Sequence, residues 1–339
     1  MVASSRRRLA TWASVLSAAT LALGIVATHA RAQPPPEIPP GPDLTTPAQA
    51  LAAALSCPQG VRGARDPVLL VPGPTGDPTF TYSAGLEPVL RAHGYPVCAV
   101  YLPDAGFGDL QIQAEYVVAS IRTLASQSGR PVSVFGASQG GLPPRWALKW
   151  WPDLRFLVGD FIGLSPNNHG SGAPVAALCN PLCPPATRQG LAGSRFLAAL
   201  NQGDETPGGG RVSYSVITSA DDVSVPAPSS DLKGEADDSN TSIQAICPGR
   251  QVGHANVNDA VAVALVLDAL GHDGPARASR ISNAECANGY ADGIDPAEVH
   301  RQSVAGLQAF VAGFIKFRND VEPPLKPYVS GSRRSAWRP

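Results

Sequence analysis

Residues 131–150 read PVSVFGASQGGLPPRWALKW. The run Val132-Ser133-Val134-Phe135 has the character of a strand covered on both faces. It leads into Gly136-Ala137-Ser138-Gln139-Gly140, a G-x-S-x-G pentapeptide, and then into helix-forming sequence around Trp146, Ala147 and Leu148. Strand, tight turn and helix are the surroundings a nucleophile elbow needs, because the serine must sit in a strained turn at the sheet edge. Glycines on either side keep strand and helix from colliding. About 0.3 such pentapeptides arise by chance in a chain this rich in glycine, so the flanking elements carry more weight than the motif. Ser138 is the candidate nucleophile. Pro143-Pro144, just inside the helix, predicts a distorted first turn.

Outward from this unit, Pro67–Pro72, Pro96–Leu102, Phe156–Ile162 and Arg211–Thr218 read as strands, and Ile243–Cys247 as a short one. Between them, Gly85–His93 reads as a helix, and Leu110, Ala114, Val117, Val118, Ile121 and Leu124 recur at helical spacing. Strands alternating with helices imply an α/β fold with a mostly parallel central sheet flanked by helices. Residues 165–210 lack strand signals and are expected to form a small cap or rim segment over the site. Asn258–Leu270 is apolar nearly all round and so reads as a buried helix. Pro296–Phe317 carries an apolar stripe at Val304, Leu307, Val311, Phe314 and Ile315. The sequence from about Glu322 reads as irregular.

At 339 residues and 44% hydrophobic, the chain is long enough for one sizeable core. A net charge of −1, with acids and bases well mixed, argues against a nucleic-acid partner. Arg6-Arg7-Arg8, an Ala-rich apolar run and Ala30-Arg31-Ala32 give residues 1–32 the form of a secretory signal peptide cleaved near Ala32. Residues 33–46 read as an extended Pro-rich spacer that forms no core, 47–328 as a single domain and 329–339 as a flexible tail. Six cysteines in an exported chain favour disulfides. Cys179 and Cys183 are the better fit to a local bridge than to a metal clamp, since no further ligands cluster nearby.

A serine hydroxyl needs an imidazole to take its proton and a carboxylate to fix the imidazole's tautomer. Downstream of Ser138, His169 precedes the strand that would deliver an acid, and His272 and His300 sit in a Gly-rich turn and at a helix start. His254 follows a strand in a loop of small residues and is the candidate base. The stretch Ser219-Ala220-Asp221-Asp222 ends a strand on the side where α/β sheets keep their ligands. Adjacent side chains diverge, so only one of Asp221 and Asp222 can serve.

The chain resembles the Candida antarctica lipase B family of secreted α/β-hydrolases, which has bacterial class 2 lipase relatives. The likeness runs from about Leu55 to Tyr328 and rests on LLVPG (69–73), GYPVCAVYLP (94–103), QAEYVVASI (113–121), SQGGL (138–142), RWALKWWPDLR (145–155), TSADDVSVP (218–226) and DPAE (295–298). It implies an α/β-hydrolase fold, a triad of Ser138, Asp221 and His254, and disulfides Cys57–Cys98 and Cys247–Cys286, with Cys179–Cys183 additional. Asp221 is implied over Asp222 because the family's acid stands five residues before the proline matching Pro226. The oxyanion hole is expected at Gln139 and, in a shortened loop where Pro74 has no N–H to donate, at Thr75. Ala137 stands where the fungal enzyme has tryptophan, which implies more room for bulky alcohols. An apolar pocket rimmed by Val223, Val225 and the Val304–Ile315 helix suits acyl chains.

The implied activity is a secreted serine lipase or carboxylesterase without cofactor or metal. It would act as a monomer on ester or lipid substrates, with transient contact at a lipid interface. A polyester depolymerase or acyltransferase of the same fold, and a non-catalytic cell-envelope binding protein, are the alternatives.

Overall fold

A computed structural model describes residues 38–208, 211–234 and 238–331; the signal-peptide reading lies outside the described residues. Strands β2 (Val68–Val71), β3 (Val97–Val100) and β4 (Val132–Ala137) are buried at every residue, as expected of strands covered on both faces. With β1 (Leu55–Ser56), β5 (Val158–Leu164), β6 (Ser213–Thr218) and β7 (Asp238–Ser242) they form one seven-stranded sheet in the order β1-β3-β2-β4-β5-β6-β7. Only β1 is antiparallel to its neighbour. The fold is that of an α/β-hydrolase, a mostly parallel sheet flanked by helices.

Successive strand residues point to opposite faces, so neighbouring positions serve different halves of the core. Leu69, Val71, Val134 and Phe161 pack with the helix Leu110–Ser128 and with Trp146. Leu70, Phe135, Ile162 and Ile217 pack with the buried helix Ala260–Gly271. Both helices have side-chain caps: Asp109 accepts from the Gln111 N–H, and Asp259 from the N–H groups of Val261 and Ala262.

Three expectations are corrected. The end of the Pro-rich stretch is docked rather than free. Pro40 O accepts from Arg122, Pro42 O accepts from Trp151 Nε1, and the N–H groups of Thr45 and Thr46 donate to the buried carboxylate of Glu115. The chain after Glu322 is likewise held. Lys326 N donates to Gln111, and Trp146 Nε1 donates to the hydroxyl of Tyr328, which lies in a short helix, Pro327–Gly331, and packs among three tryptophans. Residues 243–246 are a helical turn capped by Ser242, not a strand. The last strand is instead the polar β7, paired in parallel with β6.

Three disulfides, Cys57–Cys98, Cys179–Cys183 and Cys247–Cys286, leave no free cysteine among the described residues. No helix among those residues is long and apolar enough to cross a membrane.

Candidate active site

Strand β4 ends at Ala137, and the chain reverses through Ser138, whose φ of 56° lies in the left-handed region. A side chain at Gly136 would collide with the carbonyl of Gly140, and one at Gly140 with that of Val71. The pentapeptide's glycines are therefore required by close backbone approach. Beneath the turn, the fully buried Tyr82 donates its hydroxyl to Val71 O at 2.6 Å and accepts from Ala137 N at 3.3 Å, tying β2 to the elbow. A 3₁₀ turn, Ser138–Gly141, feeds the helix Leu142–Trp150. Pro143 and Pro144 occupy its first turn, where N–H groups lack intrahelical acceptors, so they cost little.

His254 lies in the loop after residues 243–246, with Nε2 2.8 Å from Ser138 Oγ. Its Nδ1 lies 2.7 Å from Asp222 Oδ2. The carboxylate against the imidazole is thus Asp222 and not the expected Asp221. Asp221 points outward and is exposed; it accepts from Val252 N and Gln244 Nε2, fastening the start of the histidine loop. Asp222 is 4% exposed. Its Oδ1 accepts from the N–H groups of Ser224 and Val225, which turns Oδ2 towards the imidazole. Burial pushes its carboxyl up. The hydrogen bond and charge of His254, the Val225 N–H and the Ser165 hydroxyl together outweigh that and hold it below the ordinary carboxylate range.

Ser165 was not anticipated. It follows β5 with φ 47°, is buried, donates its N–H to Ile217 O, and its hydroxyl helps hold the Asp222 carboxyl low. A strained backbone at a buried serine is the signal, and it is invisible in sequence.

The serine opens into a cavity of about 410 Å³ lined by Ala137, Val175, Leu178, Val225, Phe310 and Phe314 among others. Ala137 and Val225 line it as expected. Val223 does not; it is 68% exposed and outside the lining. Of the expected stripe on Pro296–Phe317, only Phe314 lines the cavity. Val304, Leu307, Val311 and Ile315 face outward, whereas Phe310 and Phe314 face the cavity and pack on Phe107.

Gln139 lines the cavity next to Ser138 while its side-chain amide donates to Gly106 O at 2.7 Å. Thr75 has φ 92°, a strained value for a β-branched residue, and its buried Oγ1 has no partner among the described residues. It lines the adjoining cleft rather than the cavity itself, at one remove from the role expected of it.

Residues 165–208 form the cavity's far wall, and Arg145 pins them to the helix behind the serine. Its buried guanidinium donates to Asn168, Asn201 and Glu205 O. The Glu205 carboxylate meets His169 Nε2 at 3.1 Å and accepts from Lys233 N. His169 therefore serves the wall and not the serine. No group of three or more His, Cys, Asp or Glu among the described residues is arranged to hold a metal ion.

No family model matches the chain. Lipase B of Pseudozyma antarctica is 31% identical over 185 residues, which cover 52% of this chain and 53% of that protein. The match thus spans about half the length of this curated relative. The crystal structure of Aspergillus fumigatus lipase B superposes with a TM-score of 0.78 at 29% identity, covering 86% of this chain and 73% of that one.

Proposed function

We propose that this chain, which resembles lipase B in sequence and in fold, is a serine carboxylic ester hydrolase acting on lipid-like esters through an acyl-enzyme. The observation that carries this reading is the unbroken relay from Ser138 Oγ through His254 to Asp222, with distances of 2.8 and 2.7 Å, at the wall of an apolar cavity.

In this reading Ser138 attacks the ester carbonyl as its proton passes to His254 Nε2. Asp222, held ionised by its donors, keeps the Nδ1 proton in place and stabilises the imidazolium. The Gln139 N–H and Thr75, whose hydroxyl has no partner among the described residues, supply the donors for the developing oxyanion. The imidazolium protonates the leaving alcohol, and water then releases the acyl group by the same relay run in reverse. The three disulfides support an exported protein.

A chain-length series of p-nitrophenyl esters tests the proposal. Wild type should hydrolyse them, with a preference among acyl lengths, and Ser138→Ala should lose at least about 10⁴-fold in kcat. Equal rates for the two proteins would overturn it and favour a binding protein on a hydrolase fold.

A further inference from the structure

The helix Leu110–Ser128 buries three long polar side chains, Gln111, Gln113 and Glu115. Two of them hold distant parts of the chain: Glu115 accepts from Thr45 and Thr46, and Gln111 bonds Pro324 O and Lys326 N. Gln113 is fully buried and does neither. Its Nε2 donates to Gly106 O at 3.0 Å and to Gly108 O at 3.1 Å, while its Oε1 has no partner among the described residues. A buried amide with an orphaned oxygen is a poor device for stability alone, because the unpaired acceptor carries its full desolvation cost. The N–H pair is the part in use.

What that pair holds is the turn after β3. Asp104, Ala105 and Gly106 have φ of 52°, 49° and 71°, three successive residues in the left-handed region, two of which carry a Cβ. Such a backbone persists only where its surroundings over-determine it. The turn bears on both candidate oxyanion donors. Gly106 lies so close to Gly73 O and Gly76 N, and Gly76 so close to Gly106 N and Leu102 O, that neither glycine could carry a side chain. Leu102 N also donates to Gly76 O at 2.8 Å. Thr75 lies within residues 73–76, so its backbone rests on the left-handed turn. Gln139 reaches the same carbonyl as Gln113, its Nε2 donating to Gly106 O at 2.7 Å.

We propose that Gln113, which lines neither the cavity nor the adjoining cleft, is a positioning residue for the oxyanion hole. Its amide locks the 104–106 turn, and the turn sets where Thr75 stands relative to the Gln139 N–H. The inference rests on the serine-hydrolase reading above and adds to it a residue that acts only through those two donors. Preorganised donors help only when they stand where charge develops in the transition state. A loosened turn should therefore slow the chemical step and leave substrate binding alone.

Gln113→Met tests this, because it keeps the length of the side chain and removes the N–H pair. With p-nitrophenyl butyrate as substrate, kcat should fall about 10–100-fold while KM stays within about twofold of wild type. Butylboronic acid supplies a second readout. Its tetrahedral adduct with Ser138 carries the negative charge that the oxyanion hole is built to meet, so its Ki should rise by about the factor that kcat falls. Gln139→Met, which keeps the backbone N–H but loses the bond to Gly106 O, should move both quantities in the same direction, and it decides the matter if Gln113→Met does not fold. A folded variant with kcat within about threefold of wild type, or one whose loss in kcat is not matched by a rise in Ki, would overturn the proposal. If wild type released no more p-nitrophenol than Ser138→Ala, the hydrolase reading itself would fall, and this one with it.

Discussion

The two ends of the parallel sheet each hold an aspartate beside a cleft, one buried and one half-buried, and the two are electrostatic opposites. At the carboxyl ends of the strands, Asp222 gathers an imidazole, two backbone N–H groups and a serine hydroxyl, and its carboxyl is held low. At the amino ends, Asp160 of β5 accepts from Ser133 Oγ at 2.9 Å in a cleft of about 770 Å³. Burial pushes that carboxyl up from 3.8 to about 6; the Ser133 hydrogen bond offsets only part of this, and Asp66 and Asp273 add to the rise. Arg211, which also lines the cleft, stacks its guanidinium on Phe156. A shifted carboxylate in a large cleft is therefore not by itself a site. Asp222 is set apart by the imidazole against it and the Ser138 hydroxyl beyond.

The contrast can be broken most forcefully at the carboxyl end. Asp222→Asn should lower kcat by about 10³–10⁴-fold, because an amide no longer fixes the imidazole's tautomer. Asp221→Asn, one residue away, should cost less than about tenfold, since it loosens only the loop at Val252. Steady-state kinetics on the two variants decide which aspartate faces the histidine, and a larger loss at Asp221 would reverse the assignment.

At the other end the expected effect is on stability and has the opposite sign with pH. Asp160 binds its proton more tightly in the folded chain, so its own contribution to stability is fully present below about pH 4 and is lost as pH rises through about 6. Asp160→Asn should therefore stabilise the protein at pH 8 by about 1–3 kcal/mol, with the gain vanishing below pH 4 and ester hydrolysis retained. Denaturant unfolding at several pH values checks this. Asp222, with a depressed carboxyl, should contribute stability above the ordinary carboxylate range and lose it as pH falls.

The smallest effect should come from Ser165→Ala, which removes one donor to Asp222 from the positioning shell. A loss in kcat of about 3–10-fold is expected, with KM little moved. Acid unfolding should begin at higher pH, because the Asp222 carboxyl moves back up. An unchanged acid limb would show that the hydroxyl does not hold the carboxylate.

These differences also mark where sequence carries structure and where it does not. The elbow was legible because backbone collisions at Gly136 and Gly140 leave little choice of residue. The sheet was legible because its central strands are apolar throughout. The carboxylate was not. Asp221 and Asp222 differ by one residue of phase, and the choice is made by the N–H groups of Ser224 and Val225 closing on one of them. Phase misled in part on the Pro296–Phe317 helix, where Phe314 of the expected stripe faces inward with Phe310 against Phe107 while its four aliphatic members face out. Strand β7, with the sequence DSNTS, has no apolar alternation to betray it. Neither the docked proline-rich stretch nor the held C-terminal turn could be read from composition, because each depends on single long-range partners such as Trp151 and Gln111.

Covalent labelling reaches the central claim most directly. A fluorophosphonate added to the folded protein, with the adduct located by peptide mass spectrometry, should mark Ser138, and the labelling rate should collapse in Asp222→Asn but persist in Asp221→Asn. Folded wild-type protein left unmodified at Ser138, or labelled equally fast in Asp222→Asn, would contradict the account.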